Sequence, residues 1–384
     1  MVLKKYHIPV NAPVITPEAR KFVSNCLRTG WISSAGPYVN QFEEAFARYV
    51  GRRYGVAVSS GTAALHCALI ALGLGPGDEV IVPAFTMIST LFSIMYTGAR
   101  PVFVDCEPDT FTLDPGQLAR AVTRRTRAIM PVHIFGHAAD MDPVQALARR
   151  HGLFVIEDAA EAHGGLYKGK RCGSMGDLSA FSFYANKIIT TGEGGMALTD
   201  NRRLAERMRK ARDLFHSPKK RFIHEELGYT YRMTNLQAAV GLGQLKHLNA
   251  FIAKKQWMAK RYALQLKGVP GLRLPVTRPH VRNVFWMYAV LVEPRAFGMG
   301  RDALRAALGR GGIDTRDFFY PPDEQPAIRK VFGTVGRFPV TRDISRRGLY
   351  LPSGLAITDA EIDHVCRTVV KIQRRVRERS PRPR

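Results

Sequence analysis

Apolar positions along this chain fall into two styles. In the first half, short continuous apolar runs bounded by turn residues recur: "YGVAVSS", "EVIVPAF", "ARPVFVDCE", "TRAIMPVHIFG" and "GLFVIEDAA". Helical windows separate them, among them "GTAALHCALIALG", Pro115–Thr123 and Met141–His151. Buried strands alternating with helices predict a mostly parallel sheet covered on both faces. "DLSAFSFYANK" and "GGMALTD" read as two further strands joined by the loop "IITTGEG". Val14–Val50 reads as helical around the turn-rich "TGWISSAGP", and residues 201–265 read as long helices. After Pro270 the style changes. "NVFWMYAVLV", a helix over Asp302–Arg310, "GIDTRDFFYPP" and "RGLYLPSG" predict a smaller α+β unit. The expected division is a large α/β domain with the N-terminal segment over residues 1–250. A small C-terminal domain with a basic tail follows over 251–384.

Composition narrows the class. The 384 residues are 46% hydrophobic and 23% charged, which excludes a disordered, collagenous or coiled-coil chain. The net charge of +25 is unevenly placed: +2 over residues 1–200 and +23 over 201–384. Asn201–Arg221 carries +7 and Lys371–Arg384 carries +6. The plain reading is a solvated helix face and a loose tail; a basic rim that attracts an anionic ligand is the functional one. No zinc spacing, RNA-binding aromatic motif or DNA-reading helix accompanies the charge, so specific nucleic-acid recognition is not expected. Five scattered cysteines without a CxxC pair predict buried, reduced thiols in a cytoplasmic protein and no metal site. His7, Pro9 and Asn11 stand where a signal peptide needs apolar residues, and Phe285–Val292 is far too short to span a membrane.

Three stretches carry candidate chemistry. Ser60-Gly61-Thr62 joins a strand to a helix, where free backbone amides make either an anion site or a plain cap. "FVIEDAAEAHG" puts Asp158 at the carboxyl end of a buried strand, where open α/β sheets place ligands; the alternative is a helix N-cap. In "FSFYANKIITTGEGG", Lys187 lies between aromatic strand residues and a glycine-rich loop. Desolvation there would lower its pKa from about 10.4 and free the amine as a nucleophile; a surface lysine is the alternative. Ser182 and Asn186 are phosphate donors or turn residues. Taken together, an anion site, a strand-end aspartate and a desolvated lysine fit pyridoxal phosphate.

The chain resembles the DegT/DnrJ/EryC1/StrS sugar aminotransferases, which have the aspartate-aminotransferase-like fold (type I). The likeness runs from about Pro9 to Val370 through "TGWISSAGPYVNQFEEAFA", "SSGTAALHCAL", "GDEVIVPAFT", "VIEDAAEAHG", "FSFYANKIITTGEGGM" and "GYTYRMTNLQAA". The resemblance implies Lys187 as the Schiff-base lysine and Asp158 as partner of the pyridinium nitrogen. It implies Gly61, Thr62 and Ser182 on the phosphate, Glu161 near the phenolic oxygen and Ala160 against one ring face. Relatives that dehydrate rather than aminate carry histidine where this chain has Lys187, so transamination is expected, with pyridoxamine phosphate between its two halves. "EDAAEAHG", "NKIITTGEGGM", "RMTNLQAAVGLGQL" and "RRGLYLPSGL" look most like members that use L-glutamate, releasing 2-oxoglutarate, to aminate carbon 4 of a GDP-linked 4-keto-6-deoxy sugar. The resemblance also implies a homodimer with shared active sites. Three positions depart from the family pattern. Met87 replaces an aromatic residue over the ring, with Phe85 as a substitute. Thr230 replaces an asparagine that reaches the neighbouring subunit's phosphate, a contact Arg232 could supply. Asp323 stands where histidine is expected. A sibling aminotransferase acting on a dTDP sugar, or at carbon 3, is the alternative these departures keep open.

Overall fold

The computed structural model describes residues 7–220 and 222–379. Its centre is a seven-stranded sheet. In spatial order the strands are Tyr54–Val58, Gly195–Thr199, Leu178–Ser182, Phe154–Asp158, Thr126–Ile129, Glu79–Pro83 and Arg100–Val104. Only Gly195–Thr199 runs antiparallel to its neighbours. Alternate strand residues enter different cores: Val56, Val58, Val80 and Val82 pack on one face, Ala57 and Ile81 on the other. Burial on both faces is why these strands read as continuous apolar runs.

Helix Gly61–Ala71 is buried on nearly every side against one face of the sheet. On the other side, Pro17–Thr29 and Pro37–Val50 pack against Asn235–Leu245. A four-stranded antiparallel sheet follows in the order Leu272–Arg273, Tyr288–Val292, Gly348–Leu351, Arg316–Asp317. Helices Leu248–Leu266, Arg301–Arg310 and Asp359–Arg379 share its core. Ile8 joins that same core and bridges Ile313, just before strand Arg316–Asp317.

Two expectations need correction. Residues 201–265 are not continuous helix: Arg202–Ala211 ends, and an irregular segment precedes Asn235–Leu245. The bridges Asp213↔Thr230 and His216↔His224 fold that segment back on itself. At Gly228 a Cβ would stand 2.5 Å from the Leu214 backbone, so the close approach requires glycine. Nor is the basic run there merely a solvated face. Arg209 and Arg212 pair with the buried Glu43 of Pro37–Val50, Arg207 with Glu226 and Lys210 with Glu225. Of the basic tail, Lys371–Arg379 continues a regular helix with Gln373 buried, while residues 380–384 lie outside the described residues.

The two sheets are tied together at Asp105, just beyond strand Arg100–Val104. Its buried carboxylate accepts from Val340 N (2.9 Å), Thr341 N (2.9 Å) and Thr341 Oγ1 (2.6 Å), in the first turn of helix Pro339–Arg347. Asp105→Ala removes this cap and leaves buried donors unpaired. It should lower the unfolding free energy by about 2–3 kcal/mol in urea titrations. A change below about 0.5 kcal/mol would refute the clasp.

Candidate active site

The carboxyl ends of the parallel strands open into a cavity of about 570 Å³, within the range of small-molecule sites. Ser60, Gly61, Thr62, Met87, Asp158, Ala160, Glu161, Ser182, Asn186 and Lys187 all line it. Ten of the fourteen candidate residues named from the sequence therefore meet in one place, and Phe85, Thr230, Arg232 and Asp323 do not. Arg232 pairs with Asp213 outside the cavity. Phe85 cannot stand in for Met87, because it is fully buried among Phe111, Phe135, Phe318 and Phe319. Met87 itself is 46% exposed at the N-cap of Ile88–Tyr96.

Each side chain is held by its local fold. Asp158 ends its strand with a buried carboxylate that accepts from Thr90 Oγ1 (2.8 Å) and Ala160 N (3.1 Å). Burial raises its pKa, and the bond from Thr90 pulls the other way. Ser60 Oγ caps its helix by accepting from Ala63 N (3.1 Å), which commits that side chain locally and leaves the first-turn amides and Thr62 facing the cavity. A Cβ on Gly61 would lie 2.8 Å from Ser182 Cβ, so glycine allows the helix start to close on the strand end.

Lys187 projects from the turn after strand Leu178–Ser182. Its side chain is 9% exposed, and Nζ lies 3.8 Å from Glu161 Oε1 and 3.8 Å from the centroid of the Trp286 ring. Burial depresses its pKa, while the charges of Glu161 and Asp158 resist that. The neighbouring Asn186 carbonyl accepts from Asn11 Nδ2 and Trp286 Nε1, each at 2.8 Å. The lysine turn is thus pinned by Asn11 from the N-terminal segment and by Trp286 from the C-terminal half. Glu161 is fixed at its other oxygen by Phe135 N (2.8 Å), and Phe135 holds a left-handed φ of 53° to make that contact.

Trp286, Asn11, Thr90, Tyr350 and Arg316 were not singled out from sequence. Trp286 sits in a run that reads simply as strand, and the others carry no local motif.

Burial pushes the Glu161 carboxyl up to about 7, with Lys187 pulling it back. Between pH 4.5 and 7 the folded chain keeps this proton while the unfolded chain has released it. The cofactor-free protein should therefore lose roughly 1–3 kcal/mol of stability as pH rises through that window. Urea unfolding at stepped pH should show this fall reduced in Glu161→Gln; identical profiles would refute it.

A doubly covered, mostly parallel sheet with a buried lysine and a strand-end aspartate at its carboxyl edge defines a fold-type-I aminotransferase. Residues 13–370 match the model of the DegT/DnrJ/EryC1/StrS aminotransferase family, and the chain belongs to that family. A GDP-perosamine synthase of Caulobacter vibrioides is 44% identical over 93% of this chain and 96% of its own. Streptomyces venezuelae DesV superposes with a TM-score of 0.86 at 38% identity, covering 93% of this chain and 94% of its own. The sugar aminotransferase Spr1654 of Streptococcus pneumoniae, solved in a PLP-form, gives 0.89 at 27% identity over 97% and 100%. Family and neighbours imply pyridoxal phosphate, and this site fits it: a helix start with free amides, a buried carboxylate and a buried amine line one cavity. Among the described residues, no helix is long and apolar enough to cross a membrane.

Proposed function

We propose that this aminotransferase moves an amino group from L-glutamate to carbon 4 of a GDP-linked 4-keto-6-deoxy sugar, as a GDP-perosamine synthase does. The observation that carries the reading is Lys187 Nζ, buried in the cavity 3.8 Å from Glu161, where dehydrating relatives would have histidine.

Bound pyridoxal phosphate supplies an aldehyde that condenses with amines and a ring that absorbs the electrons of a broken C–H bond. The chain's residues do the rest. Amides of Gly61 and Thr62, with the Ser182 hydroxyl, hold the phosphate at the helix start. Asp158, its carboxylate held by Thr90 Oγ1 and Ala160 N, would hold a proton on the nitrogen of the bound ring. Ala160 and Met87, which line the cavity, would flank the bound ring, and Glu161 would stand near its phenolic oxygen. Asn186, through its carbonyl, steadies the lysine turn. Lys187, whose Nζ lies in the cavity, would take up the proton from the donor's α-carbon and, in the second half, return a proton to the carbon that is aminated.

A homodimer with shared sites belongs to this reading, Arg232 being offered to the partner's phosphate from outside its own cavity. Five buried, unpaired cysteines support a cytoplasmic setting. The second reading is a dTDP-sugar enzyme. The dTDP-3-amino-3,4,6-trideoxy-alpha-D-glucose transaminase of Streptomyces venezuelae is 41% identical over 83% of both chains. Asp323 also pairs with Arg342 rather than lining the cavity. Incubating the enzyme and glutamate with a panel of GDP- and dTDP-keto sugars, with products read by mass and NMR, decides between them. Exclusive turnover of dTDP sugars, or amination at carbon 3, would overturn the first reading.

A further inference from the structure

Lys255 lies on helix Leu248–Leu266, is 2% exposed, and takes no part in the chemistry above. Among the described residues, no carboxylate stands in ion-pair range of it, and burial alone pushes its pKa down to about 7. A buried amine without a counter-charge is costly, and a methionine would fill much of the same space without that cost. Its hydrogen bonds account for the amine. Nζ donates to the Trp286 carbonyl at 2.9 Å and to the Ser353 carbonyl. Tyr288 is paired with Leu351 at the end of the antiparallel ladder. The next pair on that face would be Trp286 and Ser353, and there the strands have parted. The amine takes up both carbonyls where the ladder stops.

Both carbonyls belong to segments that end on the lysine turn. Trp286 donates from Nε1 to the Asn186 carbonyl at 2.8 Å and carries its ring 3.8 Å from Lys187 Nζ. Ser353 N donates to Val10 O at 2.8 Å. Beside it a Cβ on Gly354 would lie 2.4 Å from Ala12 N, so the segment around Asn11 rests directly on this turn. Asn11 Nδ2 then reaches the same Asn186 carbonyl, also at 2.8 Å. One buried amine therefore joins the two arms whose tips meet on the residue before Lys187.

We propose that Lys255 is a positioning residue: by clamping Trp286 to Ser353 it sets the two donors that hold the Asn186 carbonyl, and so the placement of Lys187 Nζ. This rests on the reading of Lys187 as the amine that serves both half-reactions. Lys255 does not itself line the cavity. It acts at a distance because a reacting group misplaced by about 1 Å can lose about a hundredfold in rate.

The test compares the holoenzyme with its Lys255→Met variant. The donor half-reaction at saturating glutamate, expressed per bound cofactor, should slow about tenfold, with the glutamate KM within about threefold. A residue that only props up the fold would lower the share of loaded enzyme and leave the rate per loaded site unchanged. In an Asn11→Ala/Trp286→Phe background, which lacks both donors to Asn186, Lys255→Met should cost less than about twofold more. A second readout needs no cofactor. With Trp31→Phe and Trp257→Phe, Trp286 is the one tryptophan left. Acrylamide quenching of its fluorescence should rise at least about threefold on Lys255→Met, as the released ring opens to solvent. An unchanged rate per loaded site, losses that multiply in the combined variant, or unchanged quenching would overturn the clamp. Should Lys255→Met not fold, Lys255→Gln answers to the same criteria with a loss of about threefold, since its amide is one bond shorter and cannot span both carbonyls. If Lys187→Ala keeps full-cycle turnover, the reading of Lys187 falls and the positioning with it. An inactive Lys187→Ala beside indifferent Lys255 variants refutes the clamp alone.

Discussion

Lys187→Ala should reduce both half-reactions by at least about 10⁴-fold, the upper range for loss of a positioned acid–base group, because one amine serves both. No neighbour can replace it. Among the described residues, the other cation lining the cavity is Arg316, whose guanidinium does not give up a proton near neutral pH. Glu161 lies 3.8 Å from Nζ but is tethered through its second oxygen to Phe135 N. The lesion should be chemical rather than structural: thermal melting of the cofactor-free variant should stay close to that of the parent, and added methylamine should restore measurable single-turnover rates. Substantial full-cycle turnover by Lys187→Ala without added amine would sink the assignment.

Asp158→Asn should lower kcat by about 10²–10³-fold with a smaller change in KM. The amide nearly preserves shape and can still meet Ala160 N and the Thr90 hydroxyl, which is free to rotate and accept instead of donate. What disappears is the negative charge that, on the proposed reading, would hold a proton on the bound cofactor's ring. A neutral amide neither attracts nor retains that proton, so electron withdrawal weakens in both halves of the cycle. Steady-state kinetics with glutamate and keto sugar, together with the visible spectrum of the bound cofactor, measures this. A variant within about fivefold of the parent in kcat would assign Asp158 a purely structural role.

Much of this was legible in the chain because it is local. Asp158 and Lys187 could be named since a strand end and a glycine-rich turn each mark themselves within a dozen residues. Gly61 and Thr62 stand out for the same reason. Trp286 could not be found this way: it lies about a hundred residues from Lys187, and its contact with Nζ exists only after the small sheet docks. The long helices read over 201–265 are interrupted between Ala211 and Asn235, because the basic residues of Asn201–Arg221 are not a purely solvated face. In the fold Arg212 pairs with Glu43, Lys210 with Glu225 and Arg207 with Glu226, and the segment after Ala211 closes around Gly228 instead.

Apolar periodicity and turn residues by themselves determined the doubly covered sheet, the order of its elements and the residues at its carboxyl edge. These depend on neighbours close in sequence, whose spacing sets which face each side chain takes. Tertiary structure alone decided the rest. It set Phe85 in an aromatic core and left Met87 at the cavity, tied the lysine turn to Asn11 and Trp286, and stood Arg316 beside an unsatisfied Tyr350 hydroxyl. Burial and charge pairing are properties of groups brought together from distant parts of the chain, so they exist only when both sheets have packed.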